Sequence, residues 1–205
     1  MTTPSVNCDF SPMKRIIKED LHQMTERLQQ LLRTLDDEND CLLGEFEKIK
    51  KNFFHIESSA ATFYLNCYLS PYIERYMDLS LCIKTLSERR HGALIAVERN
   101  DSIESLLQPG IMIGAPITHS LLESIFYPGS PLHDGAILIR SNQIVSAKNI
   151  LPLTTTRGND RITGTRHRAA VGLSELTDAI VLVVSEETGK ASFANKGQLY
   201  PVITP

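Results

Sequence analysis

The spacing of apolar side chains changes once along this chain, at Arg89-Arg90-His91-Gly92, and that change limits what the chain can fold into. Before it, apolar residues recur every three or four positions, the mark of amphipathic helices. After it they fall into short continuous runs bounded by Gly and Pro, the mark of buried strands. Ser11-Pro12 reads as a helix start, a hydroxyl cap followed by proline at the first helical position. Behind it Met13, Ile16, Ile17, Leu21, Met24, Leu28, Leu31, Leu32 and Leu35 form one stripe. The acidic stretch from Asp36 to Asp40 breaks that stripe, and Leu42, Phe46, Ile49 and Phe53 begin another. Together they predict a helical hairpin over residues 1–55. Such a hairpin cannot bury both stripes alone, so it must pack on something, as a structural lid on the main domain or in an assembly or regulatory role.

Residues 56–205 are then the main domain. Glu57 to Leu69 continues with helical spacing, and Ser70-Pro71 repeats the cap-plus-proline start of a helix running to Arg89, with basic residues and a glycine at its end. Strands are expected at Ala93–Val97, Ile111–Ile113, Ala136–Ile139, Ile144–Ala147, Ala179–Ser185 and Ala191–Ala194. Helices are expected at Ser102–Leu107, His119–Tyr127 and Thr165–Leu176, with a polar loop from Thr154 to Gly164. Interleaved strands and helices with hairpins among them predict an α/β fold: an α+β mixed sheet surrounded by helices, behind an N-terminal α-helical hairpin.

Composition narrows the function classes. A chain of 205 residues with 42% hydrophobic residues is sized for one good core, not for disorder. Its net charge of −3 argues against a broad nucleic-acid-binding surface. No apolar run approaches the roughly 20 residues of a membrane span, and the polar start Met1 to Asp9 lacks a signal core. Cys8, Cys41, Cys67 and Cys82 are widely spaced with no Cys-x-x-Cys pair, so reduced, buried thiols and a cytoplasmic protein are expected.

Two segments carry chemistry. Gly164-Thr-Arg-His-Arg-Ala-Ala170 sets Thr165, Arg166, His167 and Arg168 at the start of a helix. A helix start offers unpaired N–H groups and a positive dipole end, which disfavours cations unless an anion joins them. Arg166 and Arg168 are two apart and point different ways, toward separate phosphates or toward one phosphate and a partner chain. Leu132-His-Asp-Gly-Ala136 puts the Asp134 carboxylate beside a glycine where a loop enters a strand. Alone, an Asp-Gly pair is as readily a turn as a ligand site. His133 reads as loop or weak ligand, and Ser185-Glu186-Glu187 closes the strongest strand. No Walker loop, no Gly-x-Gly-x-x-Gly and no His/Cys metal cluster is present.

These two segments, with Gly172-Leu-Ser-Glu175, Thr177-Asp-Ala179 and Val183-Val-Ser-Glu-Glu187, resemble in order and spacing the motif series of the bacterial diadenylate cyclase domain, from about Gly92 to Ala194. The N-terminal hairpin resembles that of the short soluble branch in spore-forming Bacillus-type bacteria. The resemblance implies condensation of two ATP into cyclic di-AMP and two pyrophosphates, between two facing domains of a homo-oligomer. It implies that Asp134 binds a divalent metal, Mn2+ or Mg2+, and positions the attacking 3′-hydroxyl, with His133 as a second ligand. Gly135 and Ala136 would let the nucleotide lie close to backbone. Thr165, Arg166, His167 and Arg168 would hold the triphosphate, Leu151 would pack near adenine, and Ser185 and Glu186 would line the phosphate and metal side. A sensor that binds nucleotide without turnover would use the same residues.

Overall fold

The computed structural model describes residues 11–35, 42–155 and 164–203. The acidic connection at residues 36–41, most of the expected 154–164 loop, Cys8 and Cys41 lie outside the described residues. Helix α1 spans Ser11–Arg33 and packs on α2, Leu42–Leu69. The two helical stretches expected on either side of residue 55 are one continuous helix, and the expected 55/56 division falls inside it. The cause is local: no Gly or Pro lies between Phe46 and Leu69. The two ends of α2 face different surroundings. Leu43 and Phe46 are largely exposed, whereas Ile56, Ala61, Leu65 and Leu69 are buried.

Helix α3 is Tyr76–Arg89, shorter than the sequence suggests. Ser70-Pro71 forms a turn instead of a helix start: Tyr72 and Ile73 N–H groups both bond the Leu69 carbonyl at 2.9 Å, and Ile73 plugs into the core. At the far end Arg90, not Gly92, takes the left-handed cap, at φ 54°.

Seven strands follow: β1 Ala93–Val97, β2 Ile111–Pro116, β3 Ala136–Arg140, β4 Gln143–Asn149, β5 Ile180–Val184, β6 Ala191–Asn195 and β7 Gln198–Val202. Helix α4 is His119–Phe126, and the stretch expected as a helix before Gln108 shrinks to a single 3-10 turn, Glu104–Leu106. The sheet runs β2-β4-β3-β1-β5-β6-β7, with β1 and β3 parallel and every other pair antiparallel. The mixed sheet is therefore as expected. Strand β7 was not anticipated; Pro201 interrupts its apolar pattern, and it is an edge strand, where a missing N–H is tolerated.

Alternate side chains of the central strands feed two cores. Ala93, Ile95, Val97, Ile180, Leu182 and Val184 face α2, α3 and α4. Leu94, Ala96, Val181 and Val183 face helix α5, Thr165–Leu176. Burial on both faces is what makes β1 and β5 unbroken apolar runs. An aromatic ladder ties α2 to the sheet's far edge: Tyr64 stacks on Tyr68 at 6.1 Å, Tyr68 meets Phe193 edge-on at 6.4 Å, and Phe193 stacks on Tyr200 at 5.2 Å. Cys82 is a buried free thiol, its pKa pushed up to about 12 by burial. Cys67 is disulfide-bonded, which corrects the expectation that it is reduced.

Candidate active site

Antiparallel pairing of β1 with β5 and parallel pairing with β3 bring the start of β1, the start of β3 and the end of β5 to one end of the sheet. A cleft of about 2000 Å3 opens there. His133, Asp134, Gly135, Leu151, Thr165, Arg166, His167, Ser185 and Glu186 all line it. Ala136 and Arg168 do not. Ala136 is fully buried directly behind Gly135, and Arg168 is exposed, two residues along α5 from Arg166.

Asp134 is exposed at the cleft wall. Its neighbour Gly135 sits at φ +110°, and a Cβ there would lie 2.9 Å from the Lys148 backbone, so only glycine fits. Behind this corner Asn149, 2% exposed, does a job that sequence analysis missed. Its Nδ2 donates to the Ala136 carbonyl at 2.9 Å, while its Oδ1 accepts from the Gly110 N–H and the Ser146 hydroxyl, each at 3.0 Å. One buried amide thus fastens the start of β3, two residues beyond Asp134, to β4 and to the start of β2. A solitary Asn gives no sign in sequence of whether it is a turn or a brace.

His133 Nδ1 lies 2.5 Å from the Ser130 carbonyl. A carbonyl can only accept, so Nδ1 carries a proton; in the neutral ring this tautomer leaves the Nε2 lone pair as the metal-ligating atom. Among the described residues no group of three or more His, Cys, Asp or Glu gathers to hold an ion. Asp134 and His133 together offer two donors, one oxygen and one nitrogen. A six-coordinate Mg2+ or Mn2+ that completes its shell with phosphate oxygens and water needs no more from the protein. The residues therefore fit such an ion.

Helix α5, whose first residues line the same cleft, begins at Gly164, φ +108°, with no side-chain cap hydrogen bond. Among the described residues nothing accepts from its first N–H groups, the donors that an anion takes at a helix start. Arg166 Nη1 donates to Glu186 Oε2 at 2.7 Å. His167 is half-buried, and its pKa is held below the ordinary 6.5 by desolvation, reinforced by Arg166 and opposed by Glu187. At neutral pH the fixed positive charge at this helix start is therefore that of the arginines. A histidine with a lowered folded-state pKa binds fewer protons folded than unfolded. Its contribution to stability is complete above the unfolded value and is lost as the pH falls through 6.5 toward the folded one. The Tm of His167→Gln should accordingly fall less than that of the wild type between about pH 7 and pH 5; parallel declines would show that His167 makes no contribution. Ser185 lines the cleft, but its hydroxyl accepts from the Thr188 N–H at 3.3 Å and shapes the β5–β6 turn.

Comparison with known proteins shows the family. Residues 80–199 match the family model described as DisA bacterial checkpoint controller nucleotide-binding, and residues 5–72 match that of the diadenylate cyclase CdaS N-terminal region. The chain belongs to the diadenylate cyclase family. By that membership it is an enzyme. Diadenylate cyclase CdaS of Bacillus thuringiensis is 49% identical over 92% of this chain and 94% of that protein. Cyclic di-AMP synthase CdaS of Bacillus subtilis is 49% identical over 90% of this chain and 89% of its own length. Among solved structures, a Bacillus cereus protein described as a hypothetical membrane spanning protein aligns with a TM-score of 0.80 and 48% identity, covering 94% of this chain and 95% of that one. Among the described residues of this family member, no helix is long and apolar enough to cross a membrane. DacA from Staphylococcus aureus aligns with a TM-score of 0.59 and 39% identity over 62% of this chain and 85% of its own.

Proposed function

We propose that this chain condenses two ATP into 3′,5′-cyclic diadenylate, releasing two pyrophosphates, at a site completed by a second copy. The observation that carries this is the convergence on one cleft of Asp134 and Arg166, which come from distant parts of the sequence. Relatives named for this product, at 49% identity over nearly the whole chain, support it. Thr165, Arg166 and the open start of α5 bind the triphosphate of one ATP, with Gly135 giving it access to backbone and Leu151 packing near adenine. Asp134 orients the 3′-hydroxyl, and with His133 it holds a divalent cation. That cation, when bound, neutralises charge on the phosphates.

The chemistry demands the second copy. Each 3′-oxygen forms a bond to the α-phosphorus of the other ATP while the bond from that phosphorus to pyrophosphate breaks. Closing the ring takes two such events in opposite directions, so two sites must face each other across a two-fold axis. Arg168, exposed and turned away from its own cleft, then serves the opposing nucleotide. Residues 1–55 set the assembly, a role supported by their exposed Leu32, Leu43 and Phe46, and ATP as substrate assigns the work to the cytoplasm. Purified protein given ATP with Mn2+ or Mg2+ should yield cyclic di-AMP and pyrophosphate in a ratio of one to two, resolved by chromatography. Tight ATP binding with no product would identify a sensor instead.

A further inference from the structure

The start of α5 is held from a direction the sequence does not suggest. Glu186 Oε2 accepts from Arg166 Nη1 at 2.7 Å, and both side chains rest over Gly92, the residue just before β1. A Cβ on Gly92 would come within 2.6 Å of Arg166 Nη1, 2.9 Å of its Cζ and 2.8 Å of Glu186 Oε2. Gly92 is not among the glycines with positive φ, so its backbone would accept any residue. Glycine is needed there for room alone.

The crowding atoms matter as much as the distances. At Gly135 they belong to the backbone of Lys148 and Asn149, which cannot give way. At Gly92 all three are the far ends of two side chains. A methyl group at residue 92 would therefore move the guanidinium and leave the fold alone.

We propose that Gly92 and Glu186 are positioning residues for Arg166: the bare Cα of Gly92 lets the guanidinium lie against β1, and the Glu186 carboxylate holds its Nη1. The Nε and Nη2 edge is thereby aimed at the triphosphate. Guanidinium groups grip phosphate through two parallel N–H groups, so half of the fork can be tethered while the other half binds. Glu186 then acts through Arg166 and not as a metal ligand. This inference rests on the proposed function in one respect, that Arg166 contacts nucleotide phosphate.

The test uses the full chain with Mn2+ and 3′-deoxy-ATP, which lacks the attacking hydroxyl and so reports binding without turnover. Gly92→Ala and Glu186→Ala should each weaken binding about tenfold, the scale of one misplaced charge-assisted hydrogen bond, with Tm nearly unchanged. Glu186→Gln keeps an oxygen acceptor and should bind within about twofold of wild type. Added to Arg166→Ala, neither Gly92→Ala nor Glu186→Ala should cost more, because the group they position is gone. Binding unchanged or tightened in Gly92→Ala or Glu186→Ala overturns the proposal. So does a Gln variant as weak as the Ala variant, the result expected of a metal ligand. If Arg166→Ala binds like the wild type, the parent assignment of Arg166 fails; if it loses binding while the Gly92 and Glu186 variants do not, only this inference fails.

Discussion

Asp134→Asn is expected to reduce cyclic di-AMP formation by about a thousandfold while leaving the protein folded and able to bind nucleotide. The exchange conserves shape and removes one negative charge. Asp134 is exposed and joins no ion pair among the described residues, so folding stability has little at stake there. Its corner is set by Gly135 and by the Asn149 brace, neither of which the exchange touches. The triphosphate contacts proposed above are made by α5, which lines the same cleft, so binding of 3′-deoxy-ATP should persist through Arg166 and the helix start. On the proposed mechanism, what disappears is the group that orients the attacking oxygen and shares the cation. Product chromatography, a binding titration and a thermal melt on one preparation decide the matter. An Asn variant retaining more than about a tenth of wild-type turnover would remove Asp134 from the chemistry.

How much of this was legible beforehand follows from the kind of interaction involved. The change of apolar period at Gly92 located the boundary between helices and sheet because burial on both faces leaves β1 and β5 continuously apolar. Arg166 and Asp134 were readable as residue types with a chemistry, and their convergence on one cleft is compatible with that reading. The two-residue spacing of Arg166 and Arg168 suggests divergent directions on α5, and of the two only Arg166 lines the cleft. Other features depend on neighbours that the local sequence does not reveal. Helix α2 reads as two pieces because its apolar stripe changes partner near Ile56, from solvent and α1 to the sheet edge, although the backbone never breaks. Gly92 resembled a helix cap, yet Arg90 caps the helix and Gly92 makes room for a side chain from a distant helix. Asn149 is a brace only because Ala136, Ser146 and Gly110 surround it.

Gly172→Val is expected to destabilise the protein by about 3 kcal/mol or more, lowering Tm by roughly 6–12 °C in a domain of this size. Gly172 lies in the middle of α5, where glycine ordinarily costs about 1 kcal/mol relative to alanine, so tertiary packing must account for its presence. A Cβ there would meet the Pro152 carbonyl oxygen at 2.3 Å, the Thr154 nitrogen at 2.5 Å and the Leu153 carbonyl carbon at 2.6 Å. All three are backbone, so no rotamer change relieves the contact. The crossing segment is itself fastened to α5: the Thr154 N–H donates to the Arg168 carbonyl at 3.1 Å, and its hydroxyl donates to Glu175 at 2.8 Å. Valine must therefore push helix and segment apart as a unit. The same helix carries Arg166 at its start, and the segment carries Leu151 into the cleft. Below its lowered Tm, the variant should therefore also bind 3′-deoxy-ATP more weakly. Gly172→Ala sets the scale, since about 1 kcal/mol of recovered helix propensity offsets part of its smaller clash. A Gly172→Val protein that melts and binds like the wild type would mean that α5 is not seated on residues 152–154 in solution.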